Sequence, residues 1–261
     1  MRTAIAIGFK AYIKTGGSGA MIFDVEVQPN DIARVVLKPA DNAQGVKVPV
    51  NELVGSELAY RLGLPCKEPY LVDVPTAIAS QTHLRGKADL MQAGSAFAVP
   101  FITGDAPPTP EHVTKTDQPR HLPGIVAFDT WVANLDRNNA GNLMGSPSPD
   151  DPNAYRIWMI DQGHCFTGPG WTASTLAAHK DIPPASYLPV LEPGIQGALP
   201  SLAKWVDVIE QVSDVQLTDI VSLIPDAWLA DANERQTMVD FLSRRRSGIR
   251  SVLATCFRIS L

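Results

Sequence analysis

The chain has 261 residues, 22 of them basic and 27 acidic, for a formal charge of −5, with 45% hydrophobic and 19% charged residues. That composition is enough to build a folded core and excludes wholesale disorder, and the acidic balance excludes a protein built chiefly to hold nucleic acid or an anionic membrane. No apolar run reaches the ~20 residues of a membrane helix, and the three cysteines, Cys66, Cys165 and Cys256, are far apart and in no metal-ligand spacing, which fits a reducing cytoplasm.

The opening apolar stretch from Thr3 to Phe9 is interrupted by Lys10 and Lys14 and followed by no small-residue cleavage site, so it reads as an edge strand and not as a leader. Met21, Phe23, Val25 and Val27 alternate with polar neighbours, the period of a half-buried strand; Pro29-Asn30-Asp31 makes a turn, and Ile32 to Lys38 return as a second strand. Val48 to Leu62 reads as a helix stopped by Gly63, with Val50, Leu53, Val54, Leu58 and Leu62 on one stripe. Tyr70 to Val74 and Ser95 to Ile102 read as strands. Gly104 to Leu122, rich in proline, reads as an extended loop, and Pro123 sits in the first turn of a helix whose core face is Ile125, Phe128 and Val132 and which runs out at Asn134. Short strands are expected at Asn142 to Met144 and Tyr155 to Ile160, irregular chain at 168 to 200, and helices from Ser201 onward. Along that last part the run Arg244-Arg245-Arg246 reads as a solvated helix face.

The chemistry-bearing stretch is Phe128-Asp129-Thr130-Trp131 through Asn134-Leu135-Asp136-Arg137 to Asn142, followed by Ile160-Asp161-Gln162-Gly163. A helix ends in a polar turn holding an Asp and an Asn, and a hairpin then delivers a second Asp before a glycine. Phosphoryl transfer uses such a set: one carboxylate for the attacking hydroxyl, an amide oxygen and a second carboxylate for Mg²⁺. On this reading Asp136 is the catalytic carboxylate, and Asn142 and Asp161 are the metal ligands. Either half alone is also ordinary turn composition; their order, with a strand between them, is what points to a site. Lys38, ending a strand of β-branched residues, supplies a cation for phosphates if it is buried beside an anion. Gly16, Gly17 and Ser18 precede the alternating strand and offer backbone N–H groups to phosphate, although a glycine run is also a simple flexible turn. In the helix after Lys38, the apolar stripe places Glu57 rather than Glu52 on the inward side. His164 and Cys165 read as packing beside the site.

These segments resemble the HipA-like kinases, more closely the short stand-alone branch than the long toxin. The likeness rests on Gly16-Gly17-Ser18, Val36-Leu37-Lys38, Asn51-Glu52, Leu62-Gly63-Leu64-Pro65, the Asp-Arg and Ile-Asp-x-Gly segments, and Ile224-Pro225, Trp228 and Phe241-Leu242 in the tail. It implies an α+β, two-lobed, protein-kinase-like fold: residues 1–96 as an N-lobe with a small antiparallel sheet and one helix, residues 97–261 as a mainly helical C-lobe. It also implies ATP and Mg²⁺ bound between the lobes, a protein Ser or Thr hydroxyl as acceptor, adenine against Phe97, Val99 and Phe101, and Glu52 as the partner of Lys38, against the wheel argument for Glu57. Asn142 follows Asp136 by six positions, one more than in kinase-type loops, so either the loop carries an extra residue or Asn138 or Asn139 supplies the amide. The chain is shorter than the long toxin, so neither the toxin's extra amino-terminal subdomain nor its DNA-linked partners are expected here; whether Ser18 is self-phosphorylated stays open. A catalytically weak nucleotide-binding module and a small-molecule phosphotransferase remain alternatives.

Overall fold

The computed structural model describes residues 1–13, 19–42, 44–82, 91–179 and 186–261. Strand β1 (Arg2–Tyr12) pairs antiparallel with β2 (Met21–Gln28), which pairs antiparallel with β3 (Asp31–Lys38). The alternation expected along β2 is observed: Met21, Phe23 and Val25 are wholly buried. Asn30 takes the left-handed backbone of the β2–β3 turn, φ 67°, a conformation its short polar side chain tolerates. Helix α1 (Val48–Arg61) follows, then β4 (Tyr70–Val74), the short helix α2 (Thr76–Ala79) and β5 (Gly94–Pro100).

β5 pairs antiparallel with both β3 and β4, and β4 lies parallel to β1, Arg2 to Ile5 beside Tyr70 to Asp73. The sheet therefore closes into a barrel in the order β1-β2-β3-β5-β4. This corrects two expectations: β1 is not an edge strand, and the small sheet is not purely antiparallel. Each strand of this sheet pairs on both sides over part of its length, which limits the exposed edge, and the barrel is filled by Ala6, Phe23, Val35, Leu37, Val72 and their neighbours. α2 is a further helix beside the single one expected, and the boundary expected after residue 96 falls within β5.

α1 differs from the amphipathic helix that its apolar stripe suggests. Every residue from Val48 to Ala59 is buried, because the helix is enclosed rather than laid on a surface. Its apolar side chains join the core of the C-terminal part rather than the barrel filling.

The remainder is helical around one hairpin. α3 (Pro110–Thr114) and α4 (His121–Trp131) precede β6 (Leu143–Pro147) and β7 (Tyr155–Met159), an antiparallel pair; α5 (Ala173–Ala178), α6 (Glu192–Gly197), α7 (Leu202–Glu210), α8 (Asp214–Val221) and α9 (Asn233–Phe257) follow. Three expectations are corrected here. The proline-rich stretch carries α3, started by a capping box between Thr109 and His112. The stretch expected to be irregular carries α5, started by a Thr172–Thr175 box, and α6. The arginine run is only in part a solvated face: Arg244 is exposed, but Arg245 and Arg246 are half-buried; Arg245 Nε donates to the Trp131 carbonyl at 2.7 Å and its Nη2 to that of Thr130, Arg246 to the Val212 carbonyl, and Arg244 to that of Leu176 at 3.3 Å. The run thus donates to carbonyls at or just past helix C-termini, where the intrahelical ladder runs out.

Candidate active site

β3 and β5 run side by side with Lys38 opposite Phe97 and Val36 opposite Val99. At the end of β3 the Lys38 side chain is buried, 6% exposed for the whole residue. A buried ammonium is tolerated only with anionic partners, and it has two: Glu52 on α1, whose Oε1 accepts from Nζ, and Asp161, whose Oδ1 lies 3.0 Å from it. Glu57 instead accepts from Arg61 Nε at 2.7 Å, so the wheel argument for Glu57 fails. An evenly buried helix has no phase for periodicity to report.

Burial raises the Glu52 carboxyl to about 7, against the pull of Lys38. Asp161 keeps 29% of its side chain exposed; desolvation raises its carboxyl, but Lys38 outweighs it and holds Asp161 down at about 2. Lys38 is desolvated too, yet Asp161 and Glu52 hold it charged, above its ordinary value. One cation between two carboxylates leaves a site that is anionic or holds one proton, on Glu52.

α4 ends at Trp131 and the chain turns at Ala133, φ 52°, into the polar loop. Asn134 Oδ1 accepts the Asp136 N–H at 3.1 Å, which starts that loop. Asn142 Nδ2 donates to the Asp136 carbonyl at 2.7 Å and to its Oδ2 at 2.9 Å. The extra residue between Asp136 and Asn142 is absorbed by a 3₁₀ turn, Ala140–Asn142, capped by Asn139, whose Oδ1 accepts the Gly141 N–H at 3.2 Å. Asn142 is buried, whereas Asn138 and Asn139 are exposed, and Asn139 Nδ2 reaches Asp136 Oδ2 at 3.2 Å.

Lys38, Glu52, Asp136, Asn142 and Asp161 all line one cavity of about 430 Å³, as do Phe97, Val99 and Phe101 from β5 and the residues after it. That volume lies in the range of small-molecule sites. Gly16, Gly17 and Ser18 lie outside the described residues; Ile13 and Ala20 on either side of them line the cavity. His164 lines it too, whereas the Cys165 thiol is wholly buried and pushed well up by desolvation, which makes it inert as a nucleophile.

Two further residues have roles that the sequence reading did not assign. Arg137 is 1% exposed and pairs with buried Asp129 on α4, Nε to Oδ2 at 2.7 Å. Asn51, next to Glu52 on α1, donates from Nδ2 to the carbonyls of Gly163, Cys165 and Gly168 at 2.8, 2.9 and 3.2 Å and accepts from Trp171 Nε1 at 2.8 Å. Trp171 in turn carries Lys47 Nζ over its ring at 4.7 Å, and Lys47 pairs with buried Glu234 of α9. The available signal was the Asp129–Arg137 pairing inside one motif, and the Asn directly before Glu52.

The barrel, the buried helix packed beside it and the helical remainder form a kinase-like fold. The structure is similar to that of a Helicobacter pylori proinflammatory kinase, CtkA, at a TM-score of 0.54 and 12% identity, over 94% of this chain and 92% of that one. It is also similar to hydra Fam20, solved with sugar, at a TM-score of 0.56 and 14% identity, over 98% of this chain and 86% of that one. At these identities the likeness is one of fold. The family model of the HipA-like kinases matches residues 33–187, more than half of the chain, which therefore belongs to that family. No curated protein matches the chain in sequence. Family and fold together define a phosphotransferase-type chain.

Proposed function

We propose that the chain is an ATP- and Mg²⁺-dependent kinase that transfers a γ-phosphoryl group to a hydroxyl, with a protein Ser or Thr as the acceptor, in a two-lobed arrangement with residues 1–96 in one lobe and 97–261 in the other. The observation that carries the reading is the convergence of Lys38, Asp136, Asn142 and Asp161 on one cavity. The donor set suits Mg²⁺. Among the described residues no group of three His, Cys, Asp or Glu could hold an ion unaided; one carboxylate and one amide oxygen completed by phosphate oxygens is how this ion is commonly held.

Bound Mg·ATP supplies the phosphoryl group and neutralises the charge that develops on it. Lys38, held by Glu52, presents its ammonium to phosphate oxygens. Asp161 and Asn142 provide the oxygen ligands. Asp136, its Oδ2 fixed by two amide donors, orients the attacking hydroxyl and accepts its proton. Phe97, Val99 and Phe101 give adenine an apolar wall. The choice of a protein acceptor and a cytoplasmic setting rest on the family resemblance and the cysteine usage.

The test is radiolabelled transfer from ATP with MgCl₂ by wild type and Asp136→Ala, beside thermal melting with and without ATP. Wild type is expected to transfer, the variant not, and both to be stabilised. Equal transfer by both removes Asp136 from its role. Stabilisation of wild type without any transfer moves the chain to a silent nucleotide-binding module, and transfer to an added small-molecule alcohol but to no protein moves the acceptor class.

A further inference from the structure

Arg137 adjoins Asp136 in sequence but is not part of the cavity wall. Its guanidinium has five N–H groups and five contacts. Nε and Nη2 fork onto the Asp129 carboxylate at 2.7 and 3.2 Å, Nη2 also reaches Gln162 Oε1 at 2.7 Å, and Nη1 donates to the carbonyls of Asn142 and, at 2.8 Å, Ile160. We propose that Arg137 is a positioning residue: one nitrogen holds the backbone of Asn142 and the peptide just before Asp161, so that the spacing of the two candidate Mg²⁺ ligands is set from α4. This rests on the kinase reading above and extends it.

The Asp161 backbone is held from both sides. Its φ is 57°, a left-handed conformation that a short polar side chain tolerates, here with its Oδ1 3.4 Å from the Gly163 N–H, though at a cost over the right-handed one. The two peptides that flank it are both tied, the Ile160 carbonyl by Arg137 and the Gln162 N–H by Glu52 Oε2 at 3.1 Å. The Gln162 side chain is informative. Arg137 can only donate, so the amide atom facing it must be the oxygen, and this turns Nε2 into a buried site with no partner among the described residues. Gln162 therefore keeps its contact with Arg137 at the expense of a buried donor, an arrangement that packing alone would not require. A planar guanidinium forked on Asp129 sets all these directions at once, which a lysine ammonium cannot do.

The experiment is thermal melting of wild type, Gln162→Met and Arg137→Lys with ATP in EDTA and with ATP during an MgCl₂ titration. Gln162→Met keeps the volume and removes the unpartnered donor but leaves one Arg137 N–H without its acceptor, so it is expected to melt somewhat below wild type and to respond to ATP in EDTA as wild type does. Its half-saturating Mg²⁺ is expected to rise about tenfold or more, the usual cost of removing a contact that orients a metal ligand. Arg137→Lys, where it folds, is expected to shift further. Half-saturating Mg²⁺ within about twofold of wild type for Gln162→Met, an equal loss of the response to ATP in EDTA, or failure of that variant to fold would each overturn the inference. A wild type indifferent to ATP under both conditions would overturn the kinase reading first, and this inference with it.

Discussion

The backbone N–H of Gln162 donates to Glu52 Oε2 at 3.1 Å, while Oε1 of the same carboxylate takes Lys38. A single side chain of α1 thus joins the end of β3 to the turn that carries Asp161. Displacement of α1 moves the cation and one candidate metal ligand together, so the helix and the site are mechanically one unit.

Glu52 is expected to give the site a titration near neutral pH. Between its ordinary 4.5 and about 7, the folded chain holds a proton that the unfolded chain has released. Its contribution to stability is therefore full below about 4.5 and lost as the pH rises through about 7. Asp161, held down at about 2 from an ordinary 3.8, contributes in the opposite sense: present above 3.8, lost as the pH falls toward 2. Phosphoryl transfer by wild type is expected to rise as Glu52 ionises through about 7, and Glu52→Gln to lack that limb at a lower plateau. Paired pH–rate and pH–melting profiles check both; an unchanged limb in Glu52→Gln assigns the titration elsewhere.

Lys38→Met leaves the Glu52 and Asp161 carboxyls facing each other without a cation. Both are expected to titrate higher, and turnover to fall by on the order of 10²–10³, the scale for losing one preorganised charge contact. The variant's deficit in melting temperature against wild type should widen from about pH 5.5 to about pH 8, as the second carboxyl is forced to ionise. A deficit that is flat across this range would mean that the lysine is not what compensates these two acids.

The sequence made β2, β3 and β4 legible because a half-buried strand shows its period of two and its turn residues locally. It placed Lys38, Asp136 and Asp161 through their order along the chain. Barrel closure was not legible, since pairing residues 2–5 with residues 70–73 leaves no local pattern in either segment. The stripe argument for Glu57, against which the resemblance had put Glu52 first, misled for a related reason: it assumes one wet face, and α1 has none over Val48 to Ala59. Arg137 and Asn51 stood in the quoted motifs but received no role, because a buried polar residue is identified by its partners: those of Asn51 lie more than 100 residues away, and Arg137 reaches Ile160 and Gln162 as well as its neighbours in the motif.

Asn51 links α1 to the segment after Asp161 through three carbonyls and the Trp171 N–H. Asn51→Ala is expected to lower stability by about 3 kcal/mol, because several buried groups lose their partner at once. Trp171→Phe, which removes the indole N–H but keeps most of the apolar volume, should cost about 1–2 kcal/mol. Urea unfolding of both variants checks the order. A smaller loss in Asn51→Ala than in Trp171→Phe would show that the helix is held to this segment by the indole packing and not by the amide.

Gly55 lies within α1, where alanine would ordinarily favour the helix by about 1 kcal/mol. Here a Cβ would stand 2.9 Å from Gln162 Cβ and 3.2 Å from Cys165 Sγ, so that the missing side chain is what lets α1 rest on the turn beyond Asp161. Neither neighbour can yield freely: Gln162 is tied to Arg137 and Glu52, and Cys165 is wholly buried. Gly55→Ala is therefore expected to destabilise by roughly 1–3 kcal/mol, the cost of overpacking, and to lower transfer more than a change of similar cost remote from the site. Gly124→Ala is the matched control. Its Cβ would meet the Trp205 ring at 2.5 Å, where α4 packs against α7, and it should lose stability while keeping turnover in the fraction that remains folded. Melting curves and transfer rates for the pair decide the matter: equal loss of transfer per unit of lost stability would mean that the contact between α1 and Gln162 serves packing alone.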